Sequence, residues 1–92
     1  MKNHSYNQAM EPIDKAISLA GNPTRLAKLV GLSQPTVRAW KLREKRIEAD
    51  NVLKVSAALG YQVTPHELRP DIYPFETDAI PHEFREVLKE GK

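Results

Sequence analysis

An all-α fold is predicted by three features of this chain. Apolar residues recur at helical spacing in one segment after another. Prolines and glycines stand at the ends of those segments, where a helix starts or stops, rather than inside them. No segment reads as a strand.

The elements follow in order. "PIDKAISLAG" places Ile13, Ala16, Ile17 and Ala20 on one helical face, with Pro12 in the first turn and Gly21 as the C-terminal cap. "NPTRLAKLVG" follows at once, with Asn22 as N-cap, Pro23 at the first helical position and Leu26, Ala27 and Val30 facing inward. Gly31 ends that helix. "SQPTVRAW" is a short third helix capped by Ser33, with Pro35 in its first turn and Val37 and Trp40 on its inner face. A fourth is predicted over about 48–59, with Val52, Val55 and Leu59 inward and Gly60 after it. "TPHEL" is a fifth, where Thr64 and Glu67 have capping-box spacing around Pro65. "RPDIYPFE" is an extended, proline-punctuated connector. In "IPHEFREVLKEG" the stripe Ile80, Phe84, Val87, Leu88 predicts an additional C-terminal helix.

Composition narrows the function classes. At 92 residues the chain has the size of one small domain. Such a chain buries roughly 60% of its unfolded surface, which leaves little room for a buried catalytic cleft. Cysteine is absent, so there is neither a disulfide framework nor thiolate chemistry. That suits a reducing cytoplasm. No apolar run approaches membrane-spanning length, and "MKNHSYNQA" is too polar for a signal peptide. His4, His66 and His82 belong to no metal-spaced motif, and the glycines are too scattered to cradle a phosphate. Neither a cofactor nor a metal nor an enzymatic activity is expected.

Charge is distributed unevenly. Between Thr24 and Ile47 stand seven basic residues and one acid; from His66 to the end, seven acids and four bases. A basic middle beside an acidic tail points to a polyanion-binding surface in the middle.

The link Gly31–Leu32–Ser33 is so short that the flanking helices must cross steeply. Gly31 supplies the positive backbone torsion, and Ala27 sits where the backbones approach. Leu26, Val30, Leu32, Val37 and Trp40 then form a shared apolar wedge. This is helix-turn-helix spacing, and the short second helix, about 33–42, is the one that enters a DNA major groove. Arg38 can pair with guanine O6 and N7, and Gln34 with adenine N6 and N7. Pro35 and Ala39 can make apolar contacts. Ser33 is first a cap and second a phosphate contact. The basic run Lys41, Arg43, Lys45, Arg46 directly follows the probe helix and is expected along the phosphate backbone.

Taken together, "PIDKAISLAGNPTRLAKLVGLSQPTVRAW" and "YQVTPHELRPDIYP" resemble the Cro/cI-type (lambda-repressor-like) helix-turn-helix class, and within it the YdaS-like group of prophage regulators and antitoxins. The resemblance covers about residues 10–74. It implies a five-helix domain that binds a double-stranded DNA operator and regulates transcription, most simply as a repressor. Carried over by position, Gln34, Pro35, Thr36 and Arg38 are groove residues, and Thr24 lies near a phosphate. Members of the group commonly carry a glycine three residues after the tryptophan. Here Arg43 stands in that place, which leaves the exit from the recognition helix open: the helix can run one turn further into "KLREKR".

The expected organisation is a flexible N-terminal extension over 1–9, the DNA-binding domain over 10–74, and a C-terminal helical segment over 75–92. The apolar stripe of that segment either packs on the domain itself or forms a homodimer face for binding two half-sites. The alternative function is an autoregulating antitoxin, which binds a toxin protein as well as its own operator. In either case the protein acts in the bacterial cytoplasm, at the nucleoid.

Overall fold

The computed structural model describes residues 10–85. Five helices are numbered here in chain order: α1, Pro12–Ala20; α2, Pro23–Val30; α3, Gln34–Lys41; α4, Ala49–Ala58; and α5, Pro65–Leu68. A further helical turn occupies 82–85, and the described residues contain no strand.

Helix starts follow the sequence signals closely. The Asn22 side chain accepts the Arg25 N–H at 2.8 Å. Ser33 Oγ accepts the Thr36 N–H at 3.3 Å. At α5 the capping box is complete: Thr64 Oγ1 accepts the Glu67 N–H, and Glu67 Oε1 accepts the Thr64 N–H at 2.9 Å. Proline stands in the first turn of α1, α2, α3 and α5, where its missing N–H costs nothing.

Three helix exits share one geometry. A residue in left-handed conformation is followed by an N–H that reaches back five residues, the longer bond of the Schellman motif. After α2 the residue is Gly31 (φ 78°), and Leu32 N–H donates to Ala27 C=O at 2.8 Å. After α4 it is Gly60 (φ 63°), and Tyr61 N–H donates to Ser56 C=O at 2.8 Å. After α3 it is Arg43 (φ 63°), and Glu44 N–H donates to Ala39 C=O at 2.9 Å. Helix α3 therefore does not run on into "KLREKR". It stops at Lys41, because an arginine adopts the conformation that glycine would otherwise supply.

One apolar cluster joins the helices: Ala16, Ile17, Leu26, Ala27, Val37, Trp40, Ile47, Val52, Val55, Leu59, Val63 and Leu68 are buried. Ile13, Ala20, Val30 and Leu32 pack against it, half-buried. Helix α2 is central and packs on α1, α3 and α4. Trp40, the largest fully buried side chain, keeps its indole N–H satisfied by donating to Glu48 Oε1 at 3.3 Å. Among the described residues Ser56 is the buried polar residue, and its hydroxyl donates to Val63 C=O at 2.7 Å.

The segment after Pro74 returns to the domain. Ile80 is buried, and the Phe84 ring lies against Tyr61 with centroids 4.8 Å apart. Arg85 Nε donates to Ile80 C=O at 2.8 Å. The first half of the C-terminal stripe thus packs on its own domain. Val87 and Leu88, like the extension 1–9, lie outside the described residues.

Candidate nucleic-acid interface

Helix α3 has two unlike faces. Val37 and Trp40 are buried against the core and fix the helix from behind. Gln34, Arg38 and Lys41, spaced i, i+4 and i+7, are exposed along the front, with Pro35 and Leu42 beside them. Ala39 is half-buried.

The front end of α3 is tied to the front end of α2. Gln34 Nε2 donates to Thr24 Oγ1, so the first turns of both helices meet. That contact places the first groove candidate beside the residue expected near a phosphate. Ser33 and Thr36 are joined by a hydroxyl–hydroxyl hydrogen bond of 2.8 Å. Thr36 is half-buried and belongs as much to the cap as to the open face.

The basic residues divide into two sets. Among the described residues, the side chains of Arg25, Lys28, Arg38 and Lys41 make no hydrogen bond or ion pair. These four lie on α2 or α3, and Lys54 on α4 is likewise exposed and without such a partner among the described residues. Those of the run after α3 are engaged. Arg43 pairs with Asp14 at 2.9 Å, Lys45 with Glu48, and Arg46 with Asp71 at 3.3 Å. All three pairs are exposed, Arg43–Asp14 as much as Lys45–Glu48, and are open to competition from a phosphate. Arg43 is held further by donating to Lys41 C=O at 2.7 Å.

Two acids near this surface are held strongly ionised. The Lys45 ammonium hydrogen-bonded to Glu48 lowers its carboxyl to about 2, against the opposing effect of burial and with help from its own N–H and the Asn51 amide. Asp71 is lowered to about 2, first by its hydrogen bonds to Arg69. Arg69 grips Asp71 with both Nε (2.9 Å) and Nη2 (2.7 Å), and its Nη1 donates to Ile47 C=O at 2.8 Å. This arrangement anchors the turn after α3 to the segment after α5.

Beside that turn an open cleft of about 490 Å³ runs between the start of α1 and α5, with Trp40, Ile47 and Leu68 among its lining and charges of both signs around it. No group of three His, Asp or Glu that could hold a metal exists among the described residues. No helix of the described residues is long and apolar enough to cross a membrane.

Sequence reasoning did not single out Lys28 or Leu42 for the site. Lys28 carries a legible signal: it stands four residues after Thr24 and so shares its face of α2. Leu42 does not, because an exposed leucine at a helix end looks like a core residue until the exit geometry is known.

The family model described as "Bacterial toxin YdaS" matches residues 13–76, which takes in α2 to α5, all of α1 but its first residue, and every site residue above. The "Putative transcriptional regulator YdaS" of Escherichia coli (strain K12) is 30% identical over 71 residues, covering 77% of this chain and 65% of that protein. The matched stretch is therefore slightly under two thirds of the relative's length. No solved structure matches the chain at a significant level. The family's description says toxin and the relative's name says regulator; neither says antitoxin. With the match extending over all five helices, the chain belongs to the YdaS family.

Proposed function

We propose that this protein is a sequence-specific DNA-binding transcriptional regulator, acting as a Cro-type repressor without catalytic activity, and that its helices form the five-helix Cro/cI arrangement. The observation that carries this reading is the front of α3. A short helix is pinned from behind by Val37 and Trp40, and its exposed Gln34, Arg38 and Lys41 are aligned along one side. Arg38 and Lys41 have no partner among the described residues. Unpaired cations on a rigid helix are what a major groove requires. In this reading Arg38 and Gln34 read base edges, and Pro35 makes apolar contact at the N-terminal end. Thr24, Ser33 and Thr36 lie at the helix starts, where phosphate oxygens are favoured. Lys41, Lys45 and Arg46 flank the groove. The relative's name, a transcriptional regulator, agrees with this role. So short a reading helix makes few base contacts, so the protein is expected to bind two half-sites as a homodimer in the cytoplasm.

For the antitoxin alternative, the acidic C-terminal part is the candidate toxin-binding surface. Three acids after His66 have other work in the fold. Glu67 completes the α5 cap, Asp71 binds Arg69 and Arg46, and Asp78 accepts the Phe75 N–H at 2.9 Å.

The test is a gel shift with the DNA upstream of the protein's own coding sequence, repeated over a range of salt. A preferred sequence should emerge, with affinity falling by a slope of about 0.9 in log K against log salt for each phosphate neutralised. Binding that shows no preference among sequences at any salt would defeat the proposal.

A further inference from the structure

Of the three left-handed helix exits, two are made by glycine and one by arginine. The left-handed conformation costs a residue with a Cβ more than it costs glycine, so a compensating interaction is expected where a larger residue holds it. At Arg43 the compensation is visible. Its Nη1 donates to Lys41 C=O at 2.7 Å, with a longer contact of 3.5 Å to Trp40 C=O. Its Nη2 donates to Asp14 on α1 at 2.9 Å. One guanidinium thus joins two carbonyls at the C-terminal end of α3 to a carboxylate on a different helix, 29 residues away in sequence. The planar fork of arginine suits this task and a single ammonium does not. A cation over the last carbonyls also complements the negative end of the helix dipole.

We propose that Arg43 is a positioning residue, a clamp that fixes the end of the reading helix α3 to α1 through Asp14, and not a ligand of the DNA phosphates. The consequence for DNA reading rests on the function proposed above; the clamp itself does not. Arg43 stands where members of the group that the chain resembles commonly carry glycine, and it makes the exit of α3 depend on a contact with the rest of the domain. The angle at which Gln34, Arg38 and Lys41 meet the groove is then set partly by Asp14.

The two roles for Arg43 give opposite signs. If Arg43 bound phosphate, Asp14→Asn would free it and remove a nearby negative charge, so DNA would bind more tightly. For a clamp, Asp14→Asn weakens binding to the preferred sequence by about threefold to tenfold and leaves binding to unrelated DNA nearly unchanged. Arg43→Gly, which keeps the backbone turn and removes only the side chain, should match Asp14→Asn. The double variant should be no worse than either single one. The salt slope should stay the same, whereas loss of a phosphate contact lowers it by about 0.9. Arg43→Lys should behave as the glycine variant, because it keeps the charge and loses the fork. Tighter binding by Asp14→Asn, a reduced slope in Arg43→Gly, or full activity of Arg43→Lys would each overturn the proposal.

A second measurement needs no DNA. The Leu42 and Glu44 N–H groups close the exit of α3 onto Arg38 and Ala39. Their hydrogen exchange should quicken in both Asp14→Asn and Arg43→Gly. The Leu32 and Tyr61 N–H groups, at the two glycine exits, should exchange as before. Unchanged exchange at Leu42 and Glu44 in Asp14→Asn would sink the clamp even in a protein found to bind no DNA. Faster exchange there in a protein that binds no DNA would support the clamp and refute only the function proposed above.

Discussion

Val37 and Arg38 are neighbours in the chain and have opposite fates. One is fully buried against α2 and the other is exposed with no hydrogen bond or ion pair among the described residues. A rotation of about 100° per residue is enough to separate them, and the sequence shows it, because Trp40 lies on the side of Val37 and Gln34 on the side of Arg38. The separation makes a clean experiment. Arg38→Ala should cost about 1–3 kcal/mol of binding to the preferred site and relax the preference at one base pair. The same change should move the unfolding free energy by no more than about 0.5 kcal/mol, since no hydrogen bond or ion pair among the described residues is lost. Competition gel shifts against single-base variants of the site, paired with urea unfolding, check both halves. A large stability loss with base preference intact would show that Arg38 belongs to the fold. Other residues were less legible. Ser56 is buried for the sake of one hydrogen bond to the Val63 carbonyl, and nothing in a helical pattern distinguishes it from a solvated serine. Arg43 reads as one more cation in a basic run, because its backbone conformation has no signature in side-chain type.

At the scale of elements, helix starts were the most legible feature and helix ends the least. Asn22, Ser33 and Thr64 each cap a helix through a side-chain oxygen, and that chemistry is tied to residue type. The start of α4 is different. Glu48 occupies the N-cap position without a side-chain cap bond. Its carboxylate instead accepts from Trp40 on α3, from Asn51 on α4 and from Lys45 in the turn between them. This ties three neighbouring parts of the chain together and makes their stability depend on acid. The Glu48 carboxyl lies at about 2 in the folded protein and at 4.5 in its ordinary state. Above pH 4.5 both folded and unfolded chains carry the charge, and the stabilisation is complete. As the pH falls from 4.5 towards 2, the unfolded chain takes up a proton that the folded chain refuses, and the stabilisation is lost. Urea midpoints should therefore decline through that window, and Glu48→Gln should decline less steeply. Part of the slope will persist in that variant, because Asp71 is lowered over nearly the same range by Arg69. Parallel curves for the wild type and Glu48→Gln would mean that the Lys45 contact is too solvated to count.

At the scale of the whole molecule, the class of fold and the pairing of α2 with α3 were legible because a glycine turn and two apolar stripes are local patterns. The fate of the C-terminal stripe was not. An amphipathic segment shows that a surface will be covered, and only the tertiary arrangement shows by what. Here Ile80 is 2% exposed and Phe84 lies on Tyr61, whose own backbone is left-handed (φ 62°) just after the exit of α4. The cluster is separate from the main core, so it acts as a second, smaller fastening between the connector after α5 and the end of α4. Ile80→Ala should then destabilise the monomer by about 2–5 kcal/mol, the cost of deleting a buried isoleucine side chain. Removal of residues 75–92 should cost at least as much. Both are measured by urea unfolding followed through Trp40 fluorescence. A dimer face would behave otherwise. Loss of Ile80 would then leave the dilute protein as stable as before, and its effect would grow with protein concentration, because association adds to stability by mass action. Unfolding at two concentrations a hundredfold apart separates the cases. Equal losses at both concentrations place Ile80 in the fold of one chain. Any homodimer on DNA must then form through another surface, and binding to single half-sites should weaken in Ile80→Ala only as far as the folded fraction falls.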